Sequence, residues 1–79
     1  MLDIHPSARR HGIADEDIKH AVTHAMAIEH QPDETRLYLG PARNAELLEV
    51  MTIPLVPDSE LAIHVMRIRR KYQHLLPEH

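Results

Sequence analysis

The chain has 79 residues, with nine Lys and Arg against twelve Asp and Glu, a formal net charge of −3 and no cysteine. This length supports one small domain, residues 1–79, with a modest core, and the lack of cysteine excludes disulfides and thiolate metal sites. Because no apolar run has the length of a membrane span or the form of a signal peptide, we expect a cytoplasmic protein with no membrane partner.

The charges are segregated along the chain. Basic residues cluster at Arg9-Arg10 and again from Arg67 to Lys71, whereas acidic residues cluster elsewhere, as at Asp15 to Asp17. This distribution predicts a basic patch on an acidic body.

The first quarter of the chain has the pattern of helices. Met1 to His5 is expected to be an extended lead, and Pro6 to His11 a short helix ended by Gly12. A second helix is predicted from Asp15 onwards. Its apolar residues recur at helical spacing and should face the core: Ile18, Ala21, Val22, Ala25 and Met26.

The rest of the chain has the pattern of strands. Alternating polarity and turn residues predict strands at Met26 to His30, Thr35 to Gly40, Glu46 to Ile53 and the first half of Glu60 to Tyr72. A short helix should follow from about Arg69, with a frayed end at Pro77 to His79. The short connections favour an antiparallel meander. The predicted fold is therefore α+β, with N-terminal helices packed on a small antiparallel sheet of three to four strands and a short C-terminal helix.

Two polar residues stand within these apolar strands. Strict alternation places His64 on one face of the last strand with Ala62 and Met66, and Leu61, Ile63 and Val65 on the other. Glu49 lies in the most apolar strand, where a buried carboxylate requires a partner. Arg36 and Arg67 are the predicted partners.

Four segments, in order over nearly the whole chain, resemble BrnT-like toxins. These are Ser7 to Ile13, Arg36 to Gly40, Leu47 to Val50 and Leu61 to Tyr72. BrnT-like toxins belong to the RelE/ParE-like group of type II toxin–antitoxin systems. The resemblance implies a small α+β ribonuclease that needs no metal or other cofactor, blocks translation and is held inactive by a DNA-binding antitoxin. Where the family usually has Ser-Ala-Arg, this chain has His64-Val65-Met66, and Arg67 follows.

Metal-independent RNA cleavage needs a base, an acid and cations around the phosphate. The candidate catalytic residues are His64 as base or acid, Arg67 and Arg36 as phosphate ligands, and Tyr72 as a stacking or proton-donating residue. The candidate nucleic-acid-binding residues are Arg9, Arg10, His11, Arg69, Arg70 and Lys71. RNA and a cognate antitoxin are the predicted partners, and a homodimer is kept open.

Structural interpretations of these residues also fit the sequence. His64 has the pattern of a half-buried strand histidine, Tyr72 that of a packing residue, and the basic run after Arg67 that of a solvated helix start or an antitoxin-covered surface. The first alternative function is a non-catalytic interaction module of the same fold. The second is a metal-binding regulator that uses His20 and His24, which stand four residues apart on the predicted helix.

Overall fold

The computed structural model describes residues 1–77, so the expected fraying of residues 78–79 lies outside the described residues. Within that range the chain forms five strands, one α-helix and two 3₁₀ helices. In chain order these are β1 (Leu2–Ile4), a first 3₁₀ helix (Pro6–Arg9), α1 (Asp15–Thr23), β2 (Ala27–His30), β3 (Arg36–Pro41), β4 (Leu47–Val56), β5 (Ser59–Arg67) and a C-terminal 3₁₀ helix (Arg70–Leu75).

The strands form one mixed sheet in the order β1-β5-β4-β3-β2. Strands β2 to β5 make the antiparallel meander that short loops favour. β1 adds a fifth strand parallel to β5, pairing Leu2 with Glu60 and Ile4 with Ala62. The prediction of a purely antiparallel sheet with three to four strands is therefore wrong. A three-residue strand that pairs with a segment nearly sixty residues away leaves no local signal in the sequence.

The prediction of several N-terminal helices is also wrong. Pro6 and the left-handed residue Gly12, at φ 72°, lie close together, and the chain between them forms only a four-residue 3₁₀ helix. The C-terminal segment is a 3₁₀ helix as well, so α1 is the sole α-helix among residues 1–77. In this part of the chain, no helix has the length and apolar character needed to cross a membrane.

α1 covers one face of the sheet. Its buried residues Ile18 and Ala21 belong to the same core cluster as Tyr38, Val50 and Val65 of the three central strands. Tyr38 is only 6% exposed and lies in the core under the helix.

The helix approaches the sheet closely at Gly40. A Cβ atom at Gly40 would overlap the carbonyl oxygen of Ala21 and lie 3.0 Å from the Cα of Ala25. The helix ends soon afterwards at Thr23, and Met26, which was predicted to face the core, is 39% exposed. Contact between the helix and β3 therefore depends on the absence of a side chain at residue 40.

The C-terminal segment covers the opposite face. Leu37 and Leu39 of β3 point to this side and are fully buried. Together with Leu75 they line a small cavity of about 120 Å³. The sheet is thus buried on both faces, and the second face carries Glu49, which pairs with Leu39 across the strands.

Pro54 lies in the part of β4 that forms an edge of the sheet. β3 ends its pairing at Thr52, so from Ile53 to Val56 the only neighbour of β4 among the described strands is β5. A residue without a backbone N–H is tolerated there. This hairpin carries two of the exposed apolar side chains, Leu55 and Val56.

Candidate active site

The site is centred on the buried carboxylate of Glu49. Its Oε2 accepts hydrogen bonds from Nε2 of His64 at 2.9 Å and from Nη2 of Arg69 at 2.7 Å. Its Oε1 accepts from the backbone N–H of Arg69 at 2.9 Å. Glu49 has no exposed surface, whereas the side chains of His64 and Arg69 are 31% and 42% exposed. The buried carboxylate therefore binds two side chains that are partly exposed to solvent.

The contacts of Glu49 determine its charge state. Burial raises the pKa of Glu49, but the hydrogen bonds from Arg69 and His64 outweigh it, and the pKa lies below the ordinary value of 4.5. The carboxylate is therefore ionised at neutral pH. An ionised carboxylate is only an acceptor, so Nε2 of His64 must donate to it.

A β-bulge brings His64 to this face. His64 pairs with Met51, but the next pair is Ala62 with Thr52, so Ile63 is an extra residue in β5. The prediction of strict alternation is wrong at this point: Ala62 and Val65 both belong to the core under α1. His64 consequently shares the face of Glu49.

The N-terminal segment holds the bulge in place. The backbone N–H of His5 donates to the carbonyl of Ala62 at 2.9 Å. The hydroxyl of Ser7 donates to the carbonyl of Ile63 at 2.7 Å. Because these carbonyls have protein partners, the irregular stretch of β5 is fixed rather than frayed.

The same N-terminal segment delivers His11 to the site. The rings of His11 and His64 meet edge to face, with centroids 6.3 Å apart and an interplanar angle of 83°. Gly12 follows, and its positive φ of 72° turns the chain towards α1. Beside His11 opens a cleft of about 530 Å³, also lined by Asn44, Met66 and Arg67.

The predicted cations divide into paired and unpaired groups. Arg67 lies 3.1 Å from Glu46, yet its side chain is 77% exposed. Arg69 binds Glu49, and Arg9 binds Asp15 at 2.8 Å, where this hydrogen bond lowers the pKa of Asp15. Within residues 1–77, Arg10, Arg70 and Lys71 are exposed and have no ion-pair partner.

Tyr72 lies beside two of these cations. The guanidinium carbon of Arg69 is 5.4 Å from the ring centroid, and Nζ of Lys71 is 5.0 Å from it. These are cation–π distances. The half-buried ring therefore packs against two of the basic side chains that follow β5.

Arg36 is not part of this site. It lies on the α1 face, 3.4 Å from Glu60, which also accepts hydrogen bonds from Tyr38 at 2.6 Å and Thr52 at 2.7 Å. Burial raises the pKa of Glu60, but the hydrogen bonds lower it by more. The pKa of Glu60 therefore lies below its ordinary value. The sequence interpretation that paired Glu49 with Arg36 or Arg67 is wrong, because the partners are Arg69 and His64.

The histidine pair of α1 has two potential ligands without a third. The rings of His20 and His24 are tilted at 40° to each other with centroids 4.3 Å apart, and Nδ1 of His20 contacts the carbonyl of Pro41 at 2.7 Å. Among residues 1–77, no group of three or more His, Cys, Asp or Glu side chains is placed to hold a metal ion.

The structure thus brings together His64, His11, Arg67, Arg69 and Tyr72 and separates Arg36 from them. The role of Glu49 in orienting His64 escaped sequence reasoning, although its position in an apolar strand was a signal. In comparisons with known proteins, no family model, no curated protein and no solved structure matches the chain.

Proposed function

We propose that this chain is the toxin of a type II toxin–antitoxin pair, similar to BrnT-like toxins, and that it cleaves RNA without a metal ion. The observation that carries the proposal is the pair of His64 and the buried Glu49, at 2.9 Å, beside His11, which lines a cleft together with Arg67. The ordered resemblance of four sequence segments supports the same class. RNA and a cognate antitoxin are the proposed partners.

The proposed chemistry begins at His64. With Nε2–H donated to the ionised Glu49, the lone pair of the neutral ring is on Nδ1, which can accept the proton of an RNA 2′-hydroxyl. The carboxylate then stabilises the imidazolium that forms, as in other carboxylate–histidine pairs. Dependence on the 2′-hydroxyl makes this chemistry specific for RNA.

Arginines would stabilise the charge that develops on the phosphate. Arg67 is the best placed, because it lines the cleft and is engaged only with the exposed carboxylate of Glu46. Exposed ion pairs contribute little to stability, so a phosphate can replace Glu46 at low cost. Arg10, Arg70 and Lys71 have the exposure needed to bind the flanking phosphates of the RNA strand.

We expect the double substitution His64→Ala with Arg67→Ala to abolish growth inhibition and to lower RNA cleavage by at least about a thousandfold, because it removes a proton carrier and a phosphate ligand. The fold should persist, since both side chains reach solvent. The measurement is growth and total RNA integrity after induction in a bacterium, followed by cleavage assays with purified protein.

The matched control is Lys19→Ala with His24→Ala. It also removes one cation and one histidine, but from exposed positions of α1. This control should retain full activity. Full activity in the His64 and Arg67 variant, at equal protein levels, would remove the proposed site.

One observation favours a second candidate function, a non-catalytic interaction module. Leu55 and Val56 at the tip of the β4–β5 hairpin and Ile28 on the edge strand β2 are about half exposed. Contiguous exposed apolar side chains mark protein-binding surfaces, and Leu55 and Val56 are adjacent in the chain. Normal growth and intact RNA, from abundant and folded protein, would favour this candidate over the ribonuclease.

A further inference from the structure

We propose that His11 is the second proton-transfer residue of the site and works opposite His64 on a single RNA phosphodiester. This inference rests on the proposed ribonuclease function. It assigns to His11 the role of general acid, whereas the sequence alone indicated only a residue at a phosphate-binding edge.

The spacing of the two rings suits this role. In phosphoryl transfer the attacking and leaving oxygens lie on opposite sides of the phosphorus, so the base and the acid must be separated by the reacting group. The ring centroids of His11 and His64 are 6.3 Å apart, edge to face. Both rings reach the surface, and His11 lines the cleft in which a nucleotide would lie.

The hydrogen bonds differentiate the two histidines. His64 is bound to the ionised Glu49 through Nε2, which leaves Nδ1 as a proton acceptor. His11 lies on an exposed turn before Gly12, and no side-chain hydrogen bond fixes its tautomer in the described residues. His64 is therefore the base, and His11 is free to donate.

The step balances without a further reactant. Nδ1 of His64 takes the proton of the 2′-hydroxyl, the bond between the 2′-oxygen and phosphorus forms, and the bond between phosphorus and the 5′-oxygen breaks. His11, starting as the imidazolium, gives its proton to the 5′-oxygen. The products are a 2′,3′-cyclic phosphate and a 5′-hydroxyl, and exchange with water restores both histidines.

Several charged groups surround this pair and shape its pH dependence. They are Asp17 of α1, Glu46 before β4, Glu49 of β4, Arg67 of β5 and Arg69 after it. Asp17 is bound by Arg43 at 2.8 Å, Glu46 by Arg67 and Glu49 by Arg69. Each carboxylate near the two histidines therefore already has a cation of the protein as its partner.

The test compares two kinds of substrate for the purified protein. One is an RNA oligonucleotide, whose leaving 5′-oxygen needs a proton. The others are the four nucleoside 3′-(para-nitrophenyl phosphates), whose leaving group departs without one. We expect His11→Ala to lower RNA cleavage by about 10²- to 10⁴-fold but cleavage of the activated esters by less than about tenfold. His64→Ala should impair both substrates.

The pH profile provides a second readout. The cleavage rate of the wild-type protein should show a bell-shaped dependence on pH. The profile of the His11→Ala variant should lack the fall in rate at high pH, which reports loss of the acid's proton. His24→Ala, an exposed histidine at the C-terminal end of α1, is the control and should leave rates and profile unchanged. Far-ultraviolet circular dichroism of each variant verifies the fold.

Two results would overturn the inference. Unchanged RNA cleavage by His11→Ala would show that no proton passes through this residue. An equal loss on RNA and on the activated esters would show a role in binding instead. Both outcomes leave the ribonuclease function intact, whereas failure of the wild-type protein to cleave any of the substrates would remove the proposed function itself.

Discussion

Glu49→Gln is expected to lower RNA cleavage by at least about a hundredfold and the free energy of unfolding by about 2 kcal/mol near pH 7. The amide has nearly the shape of the carboxylate but only one acceptor oxygen and no charge. Its oxygen can take the place of only one carboxylate oxygen, so its NH2 group would face a donor, either the backbone N–H of Arg69 or Nε2 of His64, both of which now donate to Glu49. The negative charge that fixes the tautomer of His64 would be absent in either case.

The stability difference should depend on pH in a defined direction. The pKa of Glu49 is lowered by folding, so its contribution to stability is fully present above the ordinary value of 4.5 and is lost as the pH falls through the folded value. In urea unfolding near pH 7, the wild-type protein should therefore have a higher free energy of unfolding than the Glu49→Gln variant. The difference should shrink as the pH falls below 4.5, through the lowered pKa of Glu49.

Glu60→Gln is the matched control for this experiment. Glu60 is likewise a strand carboxylate with a lowered pKa, but its side chain is 23% exposed and its partners Tyr38, Thr52 and Arg36 lie on the α1 face. The control should lose stability with the same sign of pH dependence and retain RNA cleavage. Equal cleavage by wild type and Glu49→Gln would contradict the proposed orientation of His64.

Gly40→Ala is expected to lower the free energy of unfolding by about 3 kcal/mol or more, which is a large share of the total for a domain of this size. The added Cβ would overlap the backbone carbonyl of Ala21 and lie 3.0 Å from the Cα of Ala25. These are backbone atoms of the helical segment, and no side-chain rotation relieves the overlap. α1 must move away from β3, which exposes the core around Ile18.

Gly12→Ala separates this steric effect from backbone strain. Gly12 has a φ of 72°, but no atom lies within 4 Å of its missing Cβ, so alanine should cost only about 1 kcal/mol there. Thermal or urea unfolding of both variants provides the measurement. An equal loss for the two glycines would show that the contact between α1 and Gly40 is not as tight as the structure has it.

Local patterns predicted the meander but not the whole sheet. Alternating polarity and turn residues located β2 to β5, because these strands are joined by short loops. β1 could not be predicted, since three residues carry no period and the partner β5 lies far along the chain. The bulge at Ile63 was hidden as well, because the carbonyls that it frees are satisfied by His5 and Ser7, a contact known only after folding.

The site was partly predictable for similar reasons. Residue chemistry singled out His64, Arg67 and Tyr72, which lie at or beside the site. Arg36 was included because the sequence alone does not reveal which face of the sheet it occupies. Its side chain, 42% exposed, pairs with Glu60 on the α1 face. The pairing of Glu49 with Arg69 required the turn of the chain after β5, which no periodicity encodes.

One assay distinguishes RNA cleavage that depends on the 2′-hydroxyl, and not on a metal, from every other reaction at this site. The purified chain is mixed with an RNA oligonucleotide in excess chelator, the cut position is mapped, and the oligonucleotide is remade with a single 2′-deoxynucleotide there. We predict a 2′,3′-cyclic phosphate product from the first substrate and loss of that cut in the second. An undiminished cut beside the deoxynucleotide, or intact RNA with folded wild-type protein, would contradict the account.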